Sequence, residues 1–301
     1  LDRDKIIDFL QYRFVAIGFS LVLFVIFVSS IVSSGGINWG IDFVGGVKIT
    51  AKFEQDVTIG SIREVLNKNN ISGTVQQIGK EELNEYIIST KLLEKGESAE
   101  ASANILTNAI NSSFDNVEVL GTETVGPAIG EFLKKSAIKL FGIALLLMMF
   151  YLSFRFEVKY SFGAIVAVVH DILLSFAFCG FANIEIDIPV IAAVLTIFGY
   201  SVNDTIVIFD RIRENNQIQT KQTLFDIVNK SITQSISRTL LTSITTLFAV
   251  LALYLLGGEV ISGFAAVLLF GIFIGTYSTI YIASPVVLGW EKMAAKKKKS
   301  E

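Results

Sequence analysis

Apolar positions in this chain come in blocks rather than in alternation. Residues 14–32 run for 19 positions without a charge. At about 1.5 Å per residue such a helix spans roughly 30 Å, one bilayer core. Five further apolar runs follow, at about 137–154, 161–182, 188–209, 239–256 and 261–288. Their continuity predicts six membrane-spanning α-helices and argues against a β-barrel, whose strands alternate lipid-facing and lumen-facing residues. The first run is longer than a signal-peptide core and leads into Gly35-Gly36 without a small-residue cleavage pattern. It reads as an uncleaved anchor.

The one long polar insert, 33–131, lies between the first two runs. Alternation over 47–53 predicts a strand. Ile59, Ile62, Val65 and Leu66 then recur at helical spacing behind Thr58, a capping residue type. Strands at 73–78, 85–90 and 117–125 and a helix at 98–111, opening on a serine cap, complete the order βαββαβ. Gly79-Lys80 and Glu81-Glu82 join the middle strands. This is the ferredoxin-like α+β pattern. It hosts many functions, so a purely structural domain and a surface for an exported chain or partner subunit both stay open. The organisation is an N-terminal segment 1–13, helix 14–32, the insert, a five-helix bundle 132–290 and a basic tail 291–301. Leu224, Phe225, Val228, Ile232 and Ile236 predict an amphipathic helix over 221–237, lying on the cytoplasmic face.

Composition narrows the class. Of 301 residues, 52% are apolar and 18% charged, against about 25% charged in soluble domains. Mean hydropathy is +0.60. One cysteine, Cys179, excludes an internal disulfide framework, and one histidine, His170, excludes a multi-histidine metal site. A net charge of −3 without a basic stripe argues against nucleic acid as a partner. Arg3, Lys5 and Arg13, then Arg155 and Lys159, then Arg211, Arg213, Lys221, Lys230 and Arg238, and finally Lys292 and Lys296–Lys299 flank one side of the helices. The opposite loops carry Glu185, Asp187 and Glu259. The positive-inside rule puts both termini in the cytoplasm and the insert outside. Residues 37–131 hold 14 acids and 7 Lys/Arg.

With so few charges in the spans, the exceptions stand out. An ionisable residue in lipid costs about 2.5–3.5 kcal/mol on insertion scales. His170 and Asp171 fall near the centre of the third helix. Asp204 falls about 8 Å from the centre of the fourth, and Arg238 sits at the edge of the fifth, within reach of Asp204. The functional expectation is that Asp204 titrates, pairs with Arg238 when ionised and releases it when protonated. Ser201, Asn203 and Thr205 are candidates to orient it. The resulting helix shift would move the exterior domain through two glycine strings acting as hinges. One contains Gly40, Asp42, Gly45 and Gly46; the other contains Gly126, Pro127 and Gly130. Gly271 and Gly275 form a GxxxG packing motif. The alternative is a fixed polar clamp between helices. An Asp171/Asp204 protease dyad fits poorly, because Ser201-Val202-Asn203-Asp204 lacks the Gly-x-Gly-Asp of that class.

Taken together, these strings resemble the SecF family of protein-export membrane subunits, over roughly 12–290. They include Gly40–Gly46, Val125–Gly130, His170-Asp171, the string from Gly199 to Asn215, and Ser237–Ser243. The resemblance implies a six-helix half of the RND-like superfamily, paired pseudo-symmetrically with a SecD half. It implies use of the proton-motive force in late protein export, with protons as coupling ion, no other cofactor and no enzymatic activity. The implied partners are SecD, the SecYEG translocon, YajC and exported unfolded polypeptides, in a bacterial inner membrane. It supports Asp204 and Arg238 as the proton-linked pair and places His170-Asp171 in a second family motif. Two departures are visible: the chain begins at Leu1, and Ile261-Ser262-Gly263 is neutral where some relatives carry an acid. The alternatives are an RND-type small-molecule or lipid transporter subunit and a structural scaffold of the translocon. A stand-alone transporter of that type usually carries about twice as many helices in one chain.

Overall fold

A computed structural model describes residues 6–78, 83–92, 98–218 and 222–300, leaving aside the side chains of 295 and 297–300. Arg3, Lys5, the joining residues 79–82 and Lys221 lie outside the described residues. Among the described residues, six spans are long and apolar enough to cross a membrane. The first is α1 (Arg13–Ser33), entered through a 3-10 turn at Leu10–Tyr12. A one-turn helix α2 (Ile41–Val44) then leads into the insert.

In the insert, β1 (Gly46–Phe53) alternates because its period is two: Val47, Ile49, Ala51 and Phe53 point inward and are buried. They meet Ile62 and Leu66 of α3 (Ile59–Lys68) and Leu106 and Ile110 of α4 (Ala99–Asn111). Each Val, Ile, Leu or Phe side chain among them is worth about 1.5–3 kcal/mol when fully buried. Thr58 starts α3 by a capping box, its hydroxyl accepting the Ser61 N–H at 3.2 Å while Ser61 Oγ accepts the Thr58 N–H at 3.1 Å. With β2 (Gly73–Ile78), β3 (Glu85–Lys91) and β4 (Val117–Val125), the elements follow the order βαββαβ. The antiparallel sheet runs β2-β3-β1-β4, with Ile49 opposite both Ile88 and Thr122.

The remaining spans are α5 (Pro127–Arg155), α6 (Val158–Phe181), α7 (Ile188–Ile218), α8 (Leu224–Leu256) and the pair α9 (Glu259–Ser278) and α10 (Ser284–Ser300). A π-helical turn, Thr279–Ala283, joins the last two. Helices α6, α7 and α9 form the interior, whereas only Gly130 and Leu152 of α5 are buried. A Cβ at Gly271 would collide with Ile197, and one at Gly275 would come within 3.2 Å of Ser201 Cβ. Missing side chains there let α9 lie against α7.

Three expectations change. The second span begins at Pro127, not near 137. Pro127 occupies the first helical turn, where its absent N–H costs nothing, so Glu131, Lys134 and Lys135 become helical despite their polarity. The segment 221–237 is not a separate surface helix. No glycine or proline interrupts 224–256, and α8 is continuous. Its Val228, Ile232 and Ile236 are buried against the bundle rather than resting on lipid.

The two glycine strings are not loose hinges. Gly40 and Gly126 have ordinary φ values of −68° and −72°, and Gly130 lies inside α5. Of the set, Gly45 alone takes positive φ, at 83°. The strings pack on each other: a Cβ at Gly130 would meet the Phe43 carbonyl carbon at 2.9 Å, and one at Gly45 would meet Pro127 at 3.1 Å. Gly46 is hemmed in by the Thr90 carbonyl and Ile41. Close backbone approach, rather than freedom of rotation, is what the glycines provide.

The insert rests on the loops of the bundle. Ile186 donates to Asn38 O and accepts from the Gly40 N–H, both at 2.8 Å. Asp42 accepts from the Ile188 N–H at 3.1 Å, Glu185 from the Thr74 hydroxyl at 3.2 Å, and Glu259 from the Gln77 N–H at 3.1 Å.

Candidate functional site: buried acids in the membrane bundle

Asp171 is fully buried in a network that joins four helices, α1, α6, α7 and α9. Its Oδ2 accepts from Ser201 Oγ on α7 at 2.6 Å and from Ser278 Oγ at the end of α9 at 2.7 Å. Its Oδ1 lies 2.9 Å from His170 Nδ1. His170 Nε2 is 3.0 Å from Ser20 Oγ on α1, and Ser20 is 3.1 Å from the Tyr277 hydroxyl on α9. Tyr277 in turn donates to Ala16 O at 2.5 Å.

This chain of bonds can be satisfied in only two ways. Tyr277 has one hydroxyl hydrogen, which goes to Ala16, so Ser20 must donate to Tyr277. Nε2 must then donate to Ser20. The Nδ1 contact is completed either by an imidazolium facing a carboxylate or by a neutral ring accepting from a carboxylic acid. Both arrangements leave His170 and Asp171 with zero net charge as a pair. That is the charge state a membrane interior tolerates best.

Asp204 is treated differently. It is 2% exposed, and its hydrogen-bonding neighbour is Ser243 Oγ on α8 at 3.5 Å. Ser243 has a better acceptor in Thr276 at 2.8 Å, because the Thr276 hydrogen is committed to Ile272 O at 2.9 Å. Asp204 therefore sits in the bundle with little donor support.

The expected ion pair with Arg238 is not formed: among the described residues no salt bridge joins them, and Arg238 is exposed. Helix geometry gives the reason. Ser243 faces Asp204, and Arg238, five positions earlier, is turned about 140° around the same helix. Ser201 and Thr205 do not orient Asp204 either. Ser201 serves Asp171, Thr205 bonds Ser201 O and Thr279, each at 3.0 Å, and Asn203 faces outward.

Sequence reasoning missed Ser20 and Tyr277 as the far end of the His170 network, and Ser278 as a ligand of Asp171. Their partners lie 107 to 257 positions away. The only local signal is a hydroxyl on an otherwise apolar helix stripe.

Six membrane-spanning helices among the described residues, one inserted α+β domain and a hydroxyl-lined acid in the core define a polytopic membrane protein with a polar site inside its bundle. The particular family follows from comparison with known proteins. The profile of "Protein export membrane protein SecD/SecF, C-terminal" matches residues 105–293, and that of "SecD/SecF GG Motif" matches residues 32–57. The chain belongs to the SecD/SecF family of protein-export membrane proteins.

The protein translocase subunit SecF of Desulfurispirillum indicum is 38% identical over 96% of this chain and 93% of its own length. That of Vibrio alginolyticus is 39% identical over 96% and 91%. The crystal structure of SecDF, a translocon-associated membrane protein from Thermus thermophilus, superposes with a TM-score of 0.81 at 34% identity. It covers 97% of this chain. The chain spans 40% of that SecDF chain. These findings place it as a multi-pass protein of the bacterial inner membrane.

Proposed function

We propose that this chain is the SecF-type half of a SecD–SecF unit that couples the proton-motive force to late steps of protein export. Family membership supports the export role, and fusion of the two halves in SecDF relatives supports SecD as partner. The observation that carries proton coupling is Asp204: a buried carboxyl group on a membrane helix, poorly supplied with donors and without an ion-pair partner among the described residues. A protonated Asp204 suits this arrangement, since its own hydrogen can be donated to Ser243. Ionisation leaves an uncompensated charge, and the nearest remedy is to swing the Arg238 guanidinium inward, which requires α8 to turn. Protonation from one side and release to the other then drive α8 between two positions. One charge crossing the full field releases roughly 2.3 kcal/mol per 100 mV, enough to bias a two-state element.

His170-Asp171 is a second station in the same bundle. Both termini lie in the cytoplasm and the α+β insert outside, where it meets exported unfolded polypeptides. SecYEG and YajC complete the assembly. Protons are the coupling ion, and no cofactor, catalytic residue or nucleic acid is involved.

The test is Asp204→Asn in cells that depend on this protein, with export and SecD association measured together. Export should fall to the level of cells lacking the protein while the complex still assembles. Normal export in the variant would falsify proton coupling at Asp204.

A further inference from the structure

At the basic end of the bundle, opposite the α+β insert, α1, the start of α8 and α10 enclose an open groove of about 880 Å³. Its walls are apolar, formed by Phe14 and Ile17 of α1, Phe225 of α8, and Ile282 and Leu288 on either side of the start of α10. Two cations line it, Arg13 and Lys292. The Arg13 guanidinium is fixed in place: one N–H donates to Leu10 O at 2.7 Å, and the group lies over the Phe14 and Phe225 rings at 4.6 and 5.5 Å. Among the described residues it has no carboxylate partner, so the rest of its donor fork is unused. The one acid on the wall, Glu291, is bound to Lys159 at 3.3 Å. Thr223, the N-cap of α8, also lines the groove, so the positive end of a 33-residue helix opens there. Asp226 in the first turn of that helix offsets part of this field. Trp290, against Phe162 at 5.3 Å, marks the level as that of the lipid headgroups, where tryptophan concentrates.

We propose that this groove is a binding site for an anionic phospholipid, with the phosphate between Arg13 and Lys292 and an acyl chain along the apolar wall. Charge complementarity selects the occupant. An apolar partner helix would leave a fixed, unpaired guanidinium in its interface, whereas a phosphodiester takes it with parallel N–H···O bonds and supplies acyl chains for the apolar wall. Basic pockets between membrane helices are known to hold anionic headgroups, and the volume lies in the range of small-molecule sites. The site is independent of the Asp204 chemistry.

The test uses the full chain together with SecD, purified in detergent and titrated with phosphatidylglycerol or phosphatidylcholine under native mass spectrometry. Inorganic phosphate serves as the control. One phosphatidylglycerol should be retained per complex, in at least ten-fold preference to phosphatidylcholine, and phosphate alone should not compete at millimolar levels. Lys292→Gln should reduce that preference several-fold. Gly289→Leu should abolish retention: nothing lies within 4 Å of a Cβ at Gly289, so leucine fills the groove without a clash. Thermal unfolding of both variants checks that they fold.

Equal retention of the two lipids would overturn the proposal, as would displacement by phosphate. So would Gly289→Leu weakening SecD association while leaving lipid retention unchanged, because the groove would then belong to the partner. Retention is read without export, so a failure here leaves the proton-coupling reading standing, and the reverse also holds.

Discussion

The single histidine makes the hydrogen-bond pattern around His170 open to direct reading. In wild-type protein labelled with 15N-histidine, the ring should appear either doubly protonated or as the Nε2–H tautomer. The Nδ1–H tautomer should be absent, because Ser20 gives its hydrogen to Tyr277. Tyr277→Phe removes that acceptor. Ser20 is then free to donate to Nε2, and a neutral Nδ1–H ring becomes compatible with an ionised Asp171. We expect that tautomer to appear in Tyr277→Phe, visible in the ring 15N shifts. Its presence in the wild type would contradict the bond order deduced above. Ser20 and Tyr277 matter at this scale for a reason that sequence spacing conceals. They set the charge of a residue pair more than a hundred positions away.

Among the elements, the contact of α9 with α7 is close enough to be sensitive to a single atom. Gly271→Ala places a methyl group into Ile197. Overpacking of this kind typically costs about 1–3 kcal/mol. Gly142→Ala, on α5, meets nothing within 4 Å and should be neutral or stabilising by up to about 1 kcal/mol through helix propensity. Thermal unfolding of the two variants in one detergent separates packing from propensity.

The spans themselves were legible in the sequence, because twenty apolar residues in a row have few alternatives. The ends were less so. Polar Glu131, Lys134 and Lys135 hid the first turns of α5, and the change from polar to apolar composition near Arg238 suggested a break that the backbone does not make. The acids of the site were legible by their rarity. Their partners were not, since a serine on a membrane helix looks the same whether it bonds its own backbone, as Ser231 does to Ile227, or a carboxylate, as Ser201 does. The Asp204–Arg238 pair follows from reach along the helix axis. The angle around the axis keeps the two apart in this structure, so the pair needs a turn of α8.

In the whole molecule, the α+β insert is coupled to the bundle through an acidic rim of Asp42, Glu185 and Glu259, with Asp187 among them. Burial pushes the Asp187 carboxyl above its ordinary value of 3.8, and the charges of Asp42 and Glu185 push it further, although the Val190 N–H it accepts at 2.8 Å opposes this. A carboxyl group raised in the folded state contributes stability that is complete below its unfolded value and is lost as pH rises through the folded one. The rim should therefore loosen as pH rises from about 4 toward neutrality. Asp187→Asn keeps the cap on α7, since asparagine caps as well as aspartate, and removes the charge. Its thermal midpoint should exceed the wild type's at neutral pH, with the gap closing as pH falls toward 4. A gap that is independent of pH would assign the effect to capping alone.

The π-helical turn at Thr279–Ala283 has a consequence for the whole last span. Its five residues hold a wider coil, and Ser284 Oγ bonds the Thr279 carbonyl at 3.1 Å where the regular ladder is interrupted. Such a turn acts as a one-residue frameshift in the helix. Residues before it, Gly271, Gly275 and Ser278, are in phase with α7 and Asp171, and residues after it, Leu288 and Gly289, are in phase with the groove between α1 and α8. Deleting one residue from the turn would restore ordinary helix but rotate everything downstream by about 100°. The two ends of this span are thus written in different reading frames of the same helix, and no single face of a helical wheel shows both.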